Sequence, residues 1–243
     1  SLPSQGLLYP EDSPLRSGKI DVKYMTAKEE DILTSTTLIE QGVVITKLLE
    51  SVIANSKVKL DDMLIGDKNS LMVGTRILGY GKDYNVTLVD PDTNETVEYV
   101  IDLTTLGDKE VDKDLYLDGN NFKFTLPNSK REIEFRLLTA GDEKEIEKKL
   151  KDYEKVEKLT GVSYELTTRF KHQITSVDGN TEQSFIDQFV ENEFLALDTR
   201  AFRAYLNIIT PDIELKFDYM SQTGNLHKID VPLGINFFWP AAE

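Results

Sequence analysis

Apolar residues in this chain change period three times. They recur at helical spacing from Thr26 to Gly81, alternate from Val86 to Leu137, return to helical spacing from Thr139 to Leu206, and alternate again from Ile213 to Val231. A helical period buries one stripe of a cylinder, whereas alternation buries one face of a strand. The order of elements is therefore helices, hairpins, helices, hairpin. This predicts an α+β fold in which helical units carry antiparallel β-hairpin arms, arranged as two similar halves. The expected segments are an extended lead-in at 1–19, a helical unit with hairpin arms at 20–137, a second such unit at 138–233, and an aromatic tail at 234–243.

Local signals place the elements. Pro3, Pro10 and Pro14 deny the lead-in regular structure, and Leu7, Leu8 and Tyr9 give it apolar side chains with which to dock along a surface. Thr26 and Glu29 have the spacing of a capping box, opening a first short helix. Leu38 and Ile39 lead to a stop at Gly42, and Val44, Ile45, Leu48, Leu49, Val52 and Ile53 follow at helical spacing. Asp67 is placed to cap a third helix that ends at Gly79-Tyr80-Gly81. Asp90-Pro91-Asp92-Thr93-Asn94-Glu95 marks the turn of a first hairpin, and Pro127-Asn128-Ser129 that of a second. Thr139 and Asp142 open a long charged helix with Ile146, Leu150, Tyr153, Val156 and Leu159 on one stripe. Its charges read either as a solvated face or as a docking face for a second helix. Residues 163–209 read as helical stretches, with Leu166, Phe170 and Ile174, then Phe185, Ile186 and Phe189, then Phe202, Tyr205 and Leu206 at helical spacing, separated by Asp178-Gly179-Asn180 and Asp198, and a last hairpin turns at Ser221-Gln222-Thr223-Gly224-Asn225.

Composition removes several classes of function. Forty-three acidic against 28 basic residues give a formal charge of −15, which opposes a phosphate backbone, so nucleic acid is not an expected partner. No apolar run approaches the ~20 residues that span a bilayer, and the first residues have neither the basic start nor the apolar core of an export signal. A membrane partner is not expected either. The absence of cysteine removes disulfides, thiolate nucleophiles and sulfur-ligated metal. The sequons at Asn85 and Asn94 read as chance matches.

Chemistry is equally sparse. His172 and His227 fall in different elements and read as surface residues. Asp90, Asp92 and Asn94 have the opening spacing of a calcium loop. The sixth position is Glu95 instead of glycine and the twelfth is Ile101 instead of a bidentate carboxylate, so the loop is rejected as a calcium site. No phosphate loop or nucleophile elbow is present. The expectation is a protein without catalytic, cofactor or metal residues.

Several motifs in fixed order do carry a likeness. Leu2-Pro3-Ser4 with Gly6-Leu7-Leu8-Tyr9-Pro10, Lys23-Tyr24-Met25-Thr26 running to Leu33, Asp61-Asp62-Met63-Leu64-Ile65-Gly66-Asp67-Lys68-Asn69, Arg76 to Gly81, Ser176-Val177-Asp178-Gly179, and Val231 to Gly234 with Phe237-Phe238-Trp239-Pro240 resemble T4-type phage baseplate hub and hub-assembly proteins. The resemblance covers the chain except roughly 105–135. It implies a late phage protein of the contractile tail, working through contacts with other baseplate and tail proteins, in multiple copies in a symmetric assembly. It places the chain in the host cytoplasm during assembly and, if retained, in the baseplate of the virion. The alternative is a transient tail-assembly chaperone for the tape-measure protein. Relatives carry cysteine pairs in the hairpin arms, like small zinc ribbons. The arms here have none, so zinc does not carry over.

The tail supplies the candidate contact residues. Three aromatic rings hide ~150–250 Å² each, roughly 11–19 kcal/mol of gross burial at ~25 cal/mol per Å², and so must be covered. Either they fold onto the chain's own core or they fill a groove on a neighbour. The second placement makes Phe237, Phe238, Trp239 and Pro240, with Leu7, Leu8 and Tyr9, the expected partner-binding residues, and leaves Trp239 in water before assembly.

Overall fold

The computed structural model describes residues 1–240, so the last three residues of the tail expected at 234–243 lie outside it. The described residues form eight α-helices and three small antiparallel sheets, an α+β fold.

Helix α1 (Ala27–Leu33) begins at the expected capping box. The Glu29 carboxylate accepts from the N–H and hydroxyl of Thr26 at 2.8 Å each, and from the Ser51 hydroxyl at 2.5 Å, which ties α1 to α3 (Val44–Val52). Between them α2 (Thr36–Glu40) stops ahead of Gly42, whose φ of +70° favours glycine. Helix α4 (Ile65–Tyr80) follows. Leu64 is its N-cap residue, so the cap expected at Asp67 is corrected: Asp67 lies inside the first turn, fully buried, and serves a different purpose described below.

Strands β1 (Asp83–Val89) and β2 (Thr96–Asp102) form the first arm, with Tyr84↔Ile101, Val86↔Tyr99 and Leu88↔Val97 in register. Strands β3 (Phe122–Thr125) and β4 (Glu132–Phe135) form the second expected hairpin, but it is not a free arm. Within 163–209, the stretch ahead of Asp178, expected to be helical throughout, is helix and then strand. After α5 (Ala140–Thr160) and α6 (Glu165–Gln173), the segment Ile174–Val177 is a strand, β5, paired with β4 through Ile133↔Val177, Glu134↔Ser176 and Phe135↔Ile174. Ile174, Thr175 and Val177 are β-branched and pack on a half-buried sheet better than on a helix. Their apolar spacing at a helix end concealed the change of element. Helices α7 (Gln183–Asn192) and α8 (Ala196–Ile209) then lead to the last arm, β6 (Lys216–Met220) and β7 (Leu226–Asp230).

The division in space differs from the order in sequence. One core joins Leu2, Leu8, Tyr9 and Leu15 of the lead-in to Phe122, Ile133 and Phe135 of the three-stranded sheet and to Phe170, Phe189 and Phe202 of α6, α7 and α8. The other joins Leu33 and Leu48 of α1 and α3 to Tyr84, Ile101, Phe217 and Tyr219 of the two arms and to Phe237 and Phe238 of the tail. Each core draws on residues from both sides of the boundary expected at 137/138. The first and last arms meet face to face, with Tyr99 stacked on Phe217 at 5.4 Å and edge-on to Tyr219 at 5.3 Å. A hairpin alone is marginal in water. Two hairpins that share an aromatic face cover each other.

Candidate interaction surface

The family-like motifs are explained by packing before any chemistry is needed. In the 61–69 motif, a Cβ at Gly66 would lie 1.9 Å from the Pro211 carbonyl oxygen, so the crossing of α4 with the 211–212 segment requires glycine. Asp67 accepts from the Ser4 N–H at 2.9 Å and from the Ser4 and Tyr9 hydroxyls at 2.6 Å each, while Tyr9 in turn accepts from the Leu64 N–H at 2.8 Å. Burial pushes the Asp67 carboxyl above its usual range despite these bonds. In the 76–81 motif, the buried Arg76 guanidinium donates to the carbonyls of Gly81 and Asp83 and lies 5.4–6.0 Å from the rings of Tyr80, Tyr84 and Phe237. In the 176–179 motif, Asp178 accepts from Arg131 Nε at 2.7 Å and the Glu132 N–H at 2.9 Å, fastening the end of β5 to β4.

The predicted contact residues turn inward. Leu8 and Tyr9 are buried and Leu7 is half-buried, in a lead-in folded into successive turns by bonds such as Leu2 N–H to Gly18 O at 2.8 Å. Arg16 closes that loop by donating to the carbonyls of Leu7 and Tyr9 at 2.7 and 3.1 Å. Phe237 and Phe238 are buried in the chain's own core, Phe237 edge-on to Tyr84 at 5.1 Å. Trp239 is half-buried and its indole N–H donates to the Leu33 carbonyl at 2.8 Å; only Pro240 is exposed. Of the two placements open to the tail, the structure shows the one on its own core, and Trp239 is not in water.

The tips of the first and last arms are locked together by hydrogen bonds to Asp90 and Asp92. Asp90 accepts from the Tyr219 hydroxyl at 2.8 Å and the Gln222 N–H at 2.9 Å, and from its own turn at Asp92 and Thr93. Burial works against ionisation, but these donors hold its pKa at about 2. Asp92 accepts from Ser221 at 2.5 Å, Asn225 at 3.0 Å and Thr223, and faces His227 Nε2 at 2.9 Å; the hydroxyl of Ser221 first and then these others hold it well below the usual carboxylate range. Ser221 donates to Asp92 and not to the imidazole, so the group fastens the two arm tips together. The other histidine, His172, faces Glu145 at 3.0 Å and Lys149 at 3.4 Å on the flank of α5. Among the described residues no cluster of His, Asp and Glu is suited to a metal ion.

The α5–α6 helical hairpin carries an exposed apolar stripe at its far end. Its base is clamped: Arg136 grips Asp142 with two bonds of 2.6 and 2.7 Å, and Arg169 grips Glu143. At the base Ile146 is fully buried. Toward the tip the same stripe opens, with Tyr153 38%, Val156 41% and Leu159 87% exposed, and Val162 and Leu166 continue it onto the turn and α6. Gly161, at φ +70°, makes the turn, and Tyr153 stacks on Tyr164 at 4.8 Å to hold the two helices together. Five lysines face three carboxylates over 148–158, in a chain of net charge −15. The hairpin thus presents an apolar stripe with basic flanks on a rigid arm.

The family model for the T4 bacteriophage base plate protein matches residues 9–239. The chain belongs to this base plate family. The match spans the stretch 105–135 that the motif likeness left out. No curated protein and no solved structure matches the chain. Membership makes the protein a structural component of the phage base plate and its neighbours other tail proteins. No described helix is long and apolar enough to cross a membrane. The exposed hairpin stripe, which periodicity made visible as one face of a helix, is among the apolar surfaces that the described residues leave uncovered.

Proposed function

We propose that the protein is a non-enzymatic structural or assembly subunit of the baseplate hub that acts through protein–protein contacts, with the α5–α6 hairpin tip as its principal contact. The observation that supports this reading is the stripe Tyr153, Val156, Leu159, Val162 and Leu166, exposed on an arm whose base is clamped by two arginine–carboxylate pairs. Exposed apolar residues in a contiguous patch mark interaction sites, and a rigid presenting element lowers the ordering cost of docking. The stripe has helical spacing, so its complement is an apolar helix face of a neighbouring tail protein, one with acidic flanks to meet the lysines.

The same geometry supports a second reading, a chaperone for the tape-measure protein, because α5, at 21 residues, is long enough to lie along an extended helical partner. Mass spectrometry of purified particles separates the two. A hub subunit is present at a fixed number of copies per tail, with host cytoplasm its location only before assembly. A chaperone is abundant in infected-cell lysate and missing from the particle.

A further inference from the structure

A second site lies on the opposite kind of surface, the open edges of the two hairpin arms. Each arm is two-stranded, so every strand has one edge without a sheet partner. Bonds from Leu103 N–H to Lys82 O and from Asp90 N–H to Glu95 O fix the phase of β1–β2. Residues of the pairs Tyr84↔Ile101, Val86↔Tyr99 and Leu88↔Val97 exchange bonds with each other, and the main-chain groups of Glu98 and Val100 point away. Val231 N–H to Leu215 O and Ser221 N–H to Asn225 O fix the second arm likewise, leaving the main-chain groups of Lys216 and Asp218 outward on β6. The β1 edge is partly covered, since Asn236 Nδ2 donates to the Asn85 carbonyl at 3.0 Å. The β2 edge is not covered in this way.

The open edges of β2 and β6 border one cleft of about 810 Å³, lined also by Tyr99, Phe217 and the 105–110 segment. Its lining is net acidic. Asp102, Asp108, Glu110, Glu214 and Asp218 outnumber Lys109, Lys216 and Lys228; Lys109 is spent on the carbonyls of Asn207 and Thr210, Lys216 lies 3.7 Å from Asp230 and Lys228 stands opposite Asp218 in the β6–β7 register, while Asp108, Glu110 and Glu214 have no ion-pair partner among the described residues.

We infer that this cleft takes an extended, lysine- or arginine-bearing segment of a partner protein, which adds to the free edge of β2 as a third strand. Main-chain bonds to Glu98 and Val100 supply the affinity, alternate side chains reach the Tyr99 and Phe217 rings, and the unpaired carboxylates select basic residues. A second copy of this chain brings the same acidic edge and is repelled, so the occupant is a different protein. This site stands apart from the hairpin tip, and either can fail without the other.

The test uses the full ¹⁵N-labelled chain and an octapeptide of alternating lysine and valine. The peptide is expected to slow amide exchange at Glu98 and Val100. N-methylation of alternate peptide residues, which removes strand-pairing N–H groups, should weaken binding about tenfold or more, as should the double substitution Glu214→Lys with Asp218→Lys. An alternating glutamate–valine peptide should not bind. Val100→Pro loses only an outward N–H, a change that edge strands tolerate, and should abolish the protection at an unchanged melting temperature. Absence of binding, equal binding of the N-methylated peptide, or binding that leaves the Glu98 and Val100 amides unprotected would overturn the proposal.

Discussion

At the scale of single residues, this fold is held by fully buried aspartates that each accept donors from a distant segment. Asp67 holds Ser4 and Tyr9 of the lead-in, Asp90 holds Tyr219 and Gln222 of the last arm, and Asp198 holds the main-chain N–H groups of Asn128 and Ser129 in the β3–β4 turn. Nothing in the sequence separates these three from the other carboxylates, because what singles them out is a partner 58 to 132 positions away. Asp67 looked like a helix cap for the same reason: a local rule was the only one available. Asp67→Ala strands buried donors and is expected to cost about 3 kcal/mol, read as a lower urea midpoint with early proteolysis inside residues 1–19. Asp67 and Asp90 respond oppositely to pH. The Asp90 pKa is lowered to about 2, so its stabilisation is whole above the unfolded-state value near 4 and is lost as pH falls through about 2; Asp92, also lowered, follows in the same direction. The Asp67 pKa is raised, so its contribution is whole below the unfolded-state value and is lost as pH rises through the folded one. In acid titration followed by NMR, resonances of the arm tips at 219–225 should shift to an unlocked state as pH approaches 2, while those of Ser4 and Tyr9 stay native. Asp90→Asn with Asp92→Asn should flatten the loss at the arms, and an unchanged acid profile in that variant would contradict the assignment.

At the scale of elements, most helices and all three hairpins were legible, because period and turn residues are local properties. The exception is β5, where four residues follow a helix without a turn signal and become a strand only because β4 offers an edge. The long helix was legible too, but not where its stripe would open, since the sequence of apolar positions is the same at the covered base and the bare tip. The stability effects should divide accordingly. Ile146→Ala, at the base, is expected to cost 2–5 kcal/mol as a core truncation, whereas Val156→Glu with Leu159→Glu, at the tip, should change stability by no more than about 0.5 kcal/mol. The aromatic tail takes the first of the two placements open to it, on the chain's own core. Its composition required a cover, and a cover on the same chain satisfies that requirement as well as one on a neighbour. Phe237→Ala should therefore destabilise the isolated monomer by about 3–5 kcal/mol, and Trp239 fluorescence should be blue-shifted before any partner is added. A red, water-like emission in the native monomer would mean that the tail is not docked as described.

For the whole molecule, the two cores are each assembled from both ends of the chain, so the lead-in and tail close the structure and do not extend from it. The first and last arms face each other, and the middle sheet takes its third strand from beyond the long helix. Membership of the base plate family was legible from motifs, and the structure shows why those motifs are spaced as they are: they sit where distant segments cross. The proposed contact surface was only half legible, because exposure is decided by the whole fold. The central claim is that a folded, self-sufficient subunit joins the baseplate through the α5–α6 tip. It is tested most directly by supplying the Val156→Glu, Leu159→Glu protein in place of the native one during infection and assaying its incorporation into baseplates. The account predicts a monomer that melts like the native protein and accumulates unassembled, with few complete tails. Normal incorporation and tail yield with this variant would contradict it.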